Sequence, residues 1–268
     1  MTNPTRIVTL LTDFGLRDHY VAAMKGVMLG VNPDLTFVDI SHVIPRHDVY
    51  SAAFTLGQAY HHFPPGTIHV AVVDPGVGTS RKALAVAAGG RFFVAPDNGI
   101  LSYVFSREDG FEPFEVTEEH YFIKPVSSTF HGRDIFAPVA SWISRDVPLR
   151  QFGPEFANPV RLDIPTVKRV RGVLVEGGIL AADSFGNLIT NLVAGDIPAY
   201  GEGNGGKCRM VIGKREITSF CKTFQEGAPG ELFVIPGSSG YLEIVMRDKS
   251  AAEALPLPPG TPVGVIFG

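Results

Sequence analysis

Apolar positions along the first half of the chain fall into short blocks whose period changes in a regular order. Residues 7–12 are a mostly apolar run that predicts a buried strand. Tyr20, Met24, Val27, Met28 and Val31 then recur at helical spacing, and Asn32-Pro33-Asp34 stops that helix. A second strand is predicted over 35–40. Ala52, Ala53, Leu56, Ala59 and Tyr60 mark a second helix, with Asp48 as its N-cap. A third strand covers 67–73, and 84–88 with 92–95 reads as a hairpin about Gly89-Gly90. Residues 136–143 form a further helix carrying the only tryptophan, Trp142. The alternation predicts an α/β N-terminal domain with a mostly parallel sheet.

Between 147 and 171 the periodicity fades and Pro148, Pro154, Pro159 and Pro165 punctuate the chain, which reads as a linker. Beyond it the pattern changes to short strands parted by glycine turns at Gly177-Gly178, Gly186-Asn187, Gly213-Lys214 and 237–240, with one helical turn near 250–255. Such spacing predicts a small all-β, barrel-like C-terminal domain. The expected division is 1–165 and 166–268.

The bulk numbers narrow the function. Of 268 residues, 45% are hydrophobic, which suits a packed core, and the net charge of −4 contains no long block of one sign. Neither a nucleic-acid footprint nor a basic membrane patch is expected. No apolar run approaches the roughly 20 residues that span a bilayer. Residues 1–6 lead into an apolar run too short for a secretory signal. Two cysteines, Cys208 and Cys221, make neither a disulfide framework nor a metal motif, so a reducing cytoplasm is expected.

The densest chemistry lies in two polar islands. In Val73-Asp74-Pro75-Gly76-Val77-Gly78 an acid ends a buried strand, where open α/β sheets place their ligands, and Arg81 follows seven residues later. Ser128-Thr129-Phe130-His131-Gly132-Arg133-Asp134 is the second. If the fold joins them, Asp74, Arg81 and His131 form an acid, a permanent cation and a switchable base in one pocket. Arg133 and Asp134 read as a structural pair at a helix start. Asp13, just past the first strand, can accept hydrogen bonds from ribose hydroxyls or simply form a turn, and Asp18 can cap the next helix. Asp183 and Asn187 offer polar contacts and Phe185 a stacking face, or a tight turn. Asp39, His42, His47 and Asp48 are metal-ligand types without a zinc spacing, so no metal is expected. The spacings of a nucleoside triphosphate loop and of a serine nucleophile elbow are both absent.

Taken together, seven segments resemble the S-adenosyl-L-methionine hydroxide adenosyltransferase family, relatives of the fluorinases and chlorinases. They are Thr12-Asp13-Phe14-Gly15, Val38-Asp39-Ile40-Ser41-His42, Val73 to Gly78 with Arg81, Ala95-Pro96-Asp97-Asn98-Gly99, Ser128 to Asp134, Asp183-Ser184-Phe185-Gly186-Asn187 through Asn191, and Ser238-Ser239-Gly240-Tyr241-Leu242-Glu243. The resemblance implies a homotrimer whose ligand lies between one subunit's N-terminal domain and its neighbour's C-terminal domain. It implies attack of water or hydroxide at C5′ of S-adenosylmethionine, giving adenosine and L-methionine, with no cofactor. The catalytic triad falls on Asp74, Arg81 and His131, and the ribose acid on Asp13. The methionine-contacting acid and amide fall on Asp183 and Asn187. Asp18, Phe130, Gly132, Phe185, Ser238 and Ser239 complete the expected substrate contacts. The halogenases carry an aromatic residue in place of Asp74, a small residue in place of His131 and a tryptophan in place of His47. An aspartate would repel a halide, so the resemblance favours the hydrolytic branch. Halide transfer and a non-catalytic nucleoside-binding protein remain the alternatives. Proton acceptance is expected at His131 or Asp74, with Arg81 holding Asp74 ionised.

Overall fold

The computed structural model describes residues 6–170, 173–197 and 208–267. The start of the chain, Arg171 at the end of the expected linker and the terminal Gly268 lie outside them. The chain divides into two compact units between Leu162 and Asp163.

The first unit contains β1 (Arg6–Thr12), α1 (Tyr20–Val31), β2 (Leu35–Ser41), α2 (Val49–Ala59), β3 (Ile68–Val72), β4 (Ala83–Ala88), β5 (Arg91–Pro96), α3 (Ser102–Arg107), β6 (Phe111–Glu115) and α4 (Ala137–Ser144). Its sheet runs in the order β2-β1-β3-β5-β4-β6. Alternate residues on β1 and β3 pack on opposite faces. Val8, Leu10, Val70 and Val72 join Met24, Met28, Val139 and Ile143 of α1 and α4, while Leu11 and Ala71 join Ala52, Leu56 and Val104 of α2 and α3. A strand buried on both sides needs a continuous apolar run.

The sheet is mixed rather than mostly parallel throughout. Strands β2, β1, β3 and β5 are parallel neighbours. The hairpin β4–β5 and the pair β4–β6 add two antiparallel pairings at one edge. Two elements were not expected from the sequence, α3 and β6. The helix after the second polar island also starts differently: one π-helical turn, Gly132–Phe136, precedes α4.

The proline-punctuated segment after α4 is not free chain. Phe152 is fully buried. The N–H groups of Phe156, Val160 and Leu162 donate to Pro113 O, Asp97 Oδ1 and Ser102 Oγ, each at 2.8 Å. One polar pair sits inside the core. His69 Nδ1 and Thr9 Oγ1 are 2.7 Å apart across the β1–β3 register, the imidazole stacks on Phe93 at 5.0 Å, and Nε2 has no hydrogen-bond partner among the described residues.

The second unit holds β7 (Lys168–Val170), β8 (Leu174–Ala182), β9 (Leu188–Val193), β10 (Cys208–Ile212), β11 (Arg215–Ile217), β12 (Leu232–Pro236), β13 (Tyr241–Met246), α5 (Ala251–Ala254) and β14 (Pro262–Phe267). The strands follow the order β11-β10-β14-β8-β9-β13-β12, with β7 beside β8, and these ladders are all antiparallel. Val175, Leu192, Met210, Val234, Ile244 and Val265 fill the interior of this barrel-like sheet. Gly177-Gly178 is not a turn but the middle of β8, where the Gly178 N–H donates to Asn191 Oδ1 at 2.8 Å. Ser250 caps α5 by accepting from Glu253 N. Among the described residues no helix is long and apolar enough to cross a membrane.

Candidate active site

Thr12 and Val72 are register partners at the carboxyl ends of β1 and β3. The residues that follow, Asp13 and Val73-Asp74, therefore leave the sheet side by side, at the edge where parallel sheets bind ligands. They open onto a pocket of about 310 Å³ lined by Asp13, Phe14, Asp18, Tyr20, Arg46, His47, Val72, Asp74, Val77, Thr129, Phe130, His131 and Gly132.

Arg81 lies behind this wall and ties it together. Its Nε donates to both Asp74 oxygens at 2.9 and 3.0 Å, and a terminal nitrogen donates to Oδ2 at 2.5 Å. The same terminal nitrogen lies 2.8 Å from His131 Nδ1. A guanidinium only donates, so Nδ1 is the acceptor and neutral His131 carries its proton on Nε2. The side chains of Arg81 and Asp74 are 10% and 5% exposed, which makes this a shielded charge pair. Arg81 also stacks over Phe136 at 5.2 Å. Burial pushes the His131 pKa below 6.5, and the Arg81 charge pushes the same way against Asp74 and Asp134. His131 is therefore neutral through a wider acid range than a free histidine, with one nitrogen already committed.

Two local features bring the His131 loop to Arg81. Gly78 has φ +76°, and a Cβ there would stand 2.3 Å from Ser128 O, so the two loops meet backbone to backbone. Asp134 is fully buried and accepts from Arg133 Nε at 2.6 Å and from the Ser127 N–H at 2.8 Å, pinning the loop. Phe130 packs edge-on against Phe14 and Tyr20.

Asp13 Oδ2 accepts from the His47 N–H at 2.9 Å and holds His47 at φ +63°. Thr12 Oγ1 is 2.8 Å from His42 Nδ1 and accepts from the Phe14 N–H. His42 Nε2 stands 3.1 Å from Asp39, which Lys25 also contacts at 2.7 Å. Burial pushes Asp39 up, and Lys25 and His42 more than reverse it. Asp39 and His42 thus brace the loop that carries Asp13. Asp18 does not cap α1, whose N-cap is His19 without a side-chain bond, whereas Asp48 caps α2 through Ser51 N at 2.9 Å.

The barrel unit has its own pocket of about 680 Å³. Its wall includes Asp183, Phe185, Asn187, Phe224, Ile235, Gly237, Ser238, Glu243 and Met246. Asp183 organises the β8–β9 turn through Phe185 N, Asn187 N and Asn187 Nδ2. Phe185 is 81% exposed. Ser239 is exposed on the adjoining turn and is not among these wall residues. Asp13, Asp18, Asp74, Phe130, His131 and Gly132 thus share one pocket with Arg81 beneath it. Asp183, Phe185, Asn187 and Ser238 share the other. Sequence reasoning did not name Arg46, Phe224 or Met246, and it gave Tyr20, Val77 and Thr129 no role of their own at a site. Their residue types are ordinary, and only the folded chain assembles them.

Comparison with known proteins places both pockets in context. Residues 8–153 match the SAM hydroxide adenosyltransferase N-terminal domain and residues 177–264 match its C-terminal domain. The chain is 37% identical to an (R)-S-adenosyl-L-methionine hydrolase of Salinispora tropica, over 99% of each chain. It is 27% identical to a fluorinase of Nocardia brasiliensis, covering 100% of this chain and 99% of that one. A crystal structure of a conserved protein from Thermotoga maritima superposes with a TM-score of 0.87 at 35% identity, covering 97% of this chain and 99% of that one.

Proposed function

This chain belongs to the SAM hydroxide adenosyltransferase family, and on that premise we propose that it hydrolyses S-adenosyl-L-methionine to adenosine and L-methionine by attack of water at C5′. The observation that carries the reading is the Arg81 fork, which holds Asp74 and His131 on one pocket wall. The sulfonium is already a good leaving group, so expelling methionine needs no acid. The nucleophile is the difficulty, because water is weak and must attack in line with the C5′–S bond.

Two hydrogen bonds suffice to aim a water molecule. One water proton is donated to Asp74, and one oxygen lone pair accepts from His131 Nε2–H, leaving the other lone pair for C5′. As the C–O bond forms and the C–S bond breaks, the water proton passes to Asp74 and the electron pair leaves with methionine sulfur. His131 then serves as a donor, because its Nδ1 lone pair is already used by Arg81. Arg81 supplies the positive charge beside Asp74, and we assign no metal or cofactor to the step. Asp13 has one oxygen engaged by His47 and one for ribose hydroxyls. Gly132 and the Phe130 ring border the same space, and Asp18 adds negative charge on the pocket wall toward the cationic substrate. A carboxylate at position 74 opposes halide entry, which favours hydrolysis over halogenation.

We also propose a homotrimer in the cytoplasm, with each substrate held by the catalytic pocket of one copy and the barrel pocket of a neighbour, where Asp183, Phe185, Asn187 and Ser238 lie, with Ser239 on the adjoining turn. Two buried cysteines, Cys208 and Cys221, support the reducing compartment. The domains are taken as 1–165 and 166–268. The test is incubation of purified chain and chelator with S-adenosylmethionine, with and without halide, followed by product identification. Adenosine and methionine in both conditions are expected. A 5′-halo product would replace the reading with halogenation, and tight binding without turnover would replace it with a binding protein.

A further inference from the structure

Asn98 lies in the turn after β5, and one bond connects it to the wall of the catalytic pocket. Its Nδ2 donates to Val73 O at 2.8 Å, and its Oδ1 accepts from the Ile100 N–H at 3.2 Å. The β3–β5 ladder ends at Val70 and Val94, two residues before Pro96, which has no N–H to extend it. Val73 is fully buried, so its carbonyl cannot turn to water and needs a partner inside the protein. The Asn98 amide supplies one. Asp74 is thereby held on both sides: the peptide before it through Val73 O, and its own carbonyl by accepting from the Val77 N–H at 3.2 Å.

The preceding residue of the same turn reaches Arg81. Ala83 and Pro96 are register partners where β4 begins and β5 ends. The Asp97 N–H carries that pairing one step further, donating at 2.9 Å to O of Lys82, the residue after Arg81. The turn is anchored in its own right. Asp97 Oδ1 accepts from the Val160 N–H at 2.8 Å, and Ser102 Oγ donates to Gly99 O at 2.6 Å while accepting from the Leu162 N–H. Gly99 has φ +96°, and a Cβ there would stand 2.8 Å from the Leu162 side chain. One braced turn thus fixes the backbone just before Asp74 and just after Arg81.

We propose that Asn98 is a positioning residue for the reaction, its side-chain amide setting the peptide that aims the Asp74 carboxylate into the Arg81 fork. This inference rests on the S-adenosylmethionine reading of the pocket. Asn98 touches no reacting atom. It bridges an acceptor and a donor, Val73 O and Ile100 N–H, which needs the two different ends of one amide. Without it the Val73–Asp74 peptide is free to rotate. The carboxylate then drifts from the line of attack and its bonds from Arg81 loosen. Substrate affinity is spared, because Asp13 and Phe130 hang on other loops.

The test uses the full-length chain as wild type, Asn98→Ala and Asn98→Asp, each also combined with Asp74→Asn. Asn98→Asp keeps the acceptor for Ile100 and loses only the donor to Val73 O, so it decides the matter should Asn98→Ala fail to fold. Single-turnover rates give kcat, calorimetry gives Kd for S-adenosylmethionine, and ¹⁵N NMR without substrate follows the Arg81 Nε–H that donates to Asp74. Loss of the donor is expected to lower kcat about 10- to 100-fold, with Kd within about twofold. The Arg81 Nε–H signal should shift and exchange faster with solvent. On the Asp74→Asn background the further loss should be under about threefold, because the group being aimed is gone. A wild-type kcat, a rise in Kd that matches the rate loss, an unmoved Arg81 signal, or the same fold-loss on both backgrounds each overturns the proposal. Wild type without turnover sinks the hydrolase reading, and the Arg81 signal then decides Asn98 alone: moved, it supports the positioning role, and unmoved, it overturns it.

Discussion

His69 offers a stability prediction whose size follows from its surroundings. The imidazole is fully buried between β1 and β5, and burial pushes its pKa from 6.5 down to about 3, with Arg91 acting in the same direction. A folded pKa below the unfolded one means that the folded state refuses a proton the unfolded chain accepts. The associated stability is present above pH 6.5 and is lost as pH falls toward 3. At about 1.4 kcal/mol per pH unit, the loss reaches about 2 kcal/mol at pH 5. The comparison protein is the double variant Thr9→Val, His69→Phe, which removes both members of the buried hydrogen bond and leaves neither partner orphaned. Urea unfolding at pH 7 and pH 5 gives the two stabilities. Trp142, the only tryptophan, lies in the same unit and reports its unfolding. Wild type should lose about 2 kcal/mol relative to the variant between these pH values. An equal stability difference at both pH values would refute the buried-neutral account of His69.

Other predictions bear on the catalytic pocket. Arg81→Lys keeps the charge but cannot span Asp74 and His131 with one planar fork, so kcat should fall about 10²-fold with KM little changed; a lysine variant at wild-type rate contradicts this. The pH profile of kcat/KM should stay flat below 6.5 before falling, because protonating His131 breaks its bond from Arg81 and that pKa is depressed; an acid limb centred at or above 6.5 would argue against it. Gly78→Ala places a methyl against Ser128 O at positive φ, and should lower both Tm and kcat by shifting the His131 loop. Wild-type values for both in that variant would show the loop contact to be unimportant.

Much of this arrangement was legible in the residues. Tyr20 to Val31 announced α1 because one helical face repeats, and the stop at Asn32 follows from its proline neighbour and an Asx turn to Asp34 N. Asp74 at the end of a β-branched run marked a strand terminus, and the strand order puts it beside Asp13. The antiparallel edge was harder. The strand β6 contains Pro113 and two glutamates, so its composition reads as loop, and β4 supplies its ladder. Gly177-Gly178 looked like a turn because glycine favours turns, yet Asn191 occupies the space beside it. The turn held by Asp183 was legible as a tight turn, whereas Phe224 and Met246 reach the same pocket wall from far along the chain. No local pattern encodes them.

The central claim is water attack at C5′ aimed by Asp74. It is tested most directly by a single-turnover reaction of S-adenosylmethionine in water enriched in heavy oxygen, with wild type and Asp74→Asn compared by mass spectrometry. The account predicts the heavy atom in the 5′-hydroxyl of adenosine, and a rate for Asp74→Asn lower by about 10²- to 10⁴-fold while substrate still binds. Adenosine without the label, or an Asp74→Asn rate equal to wild type, would contradict it.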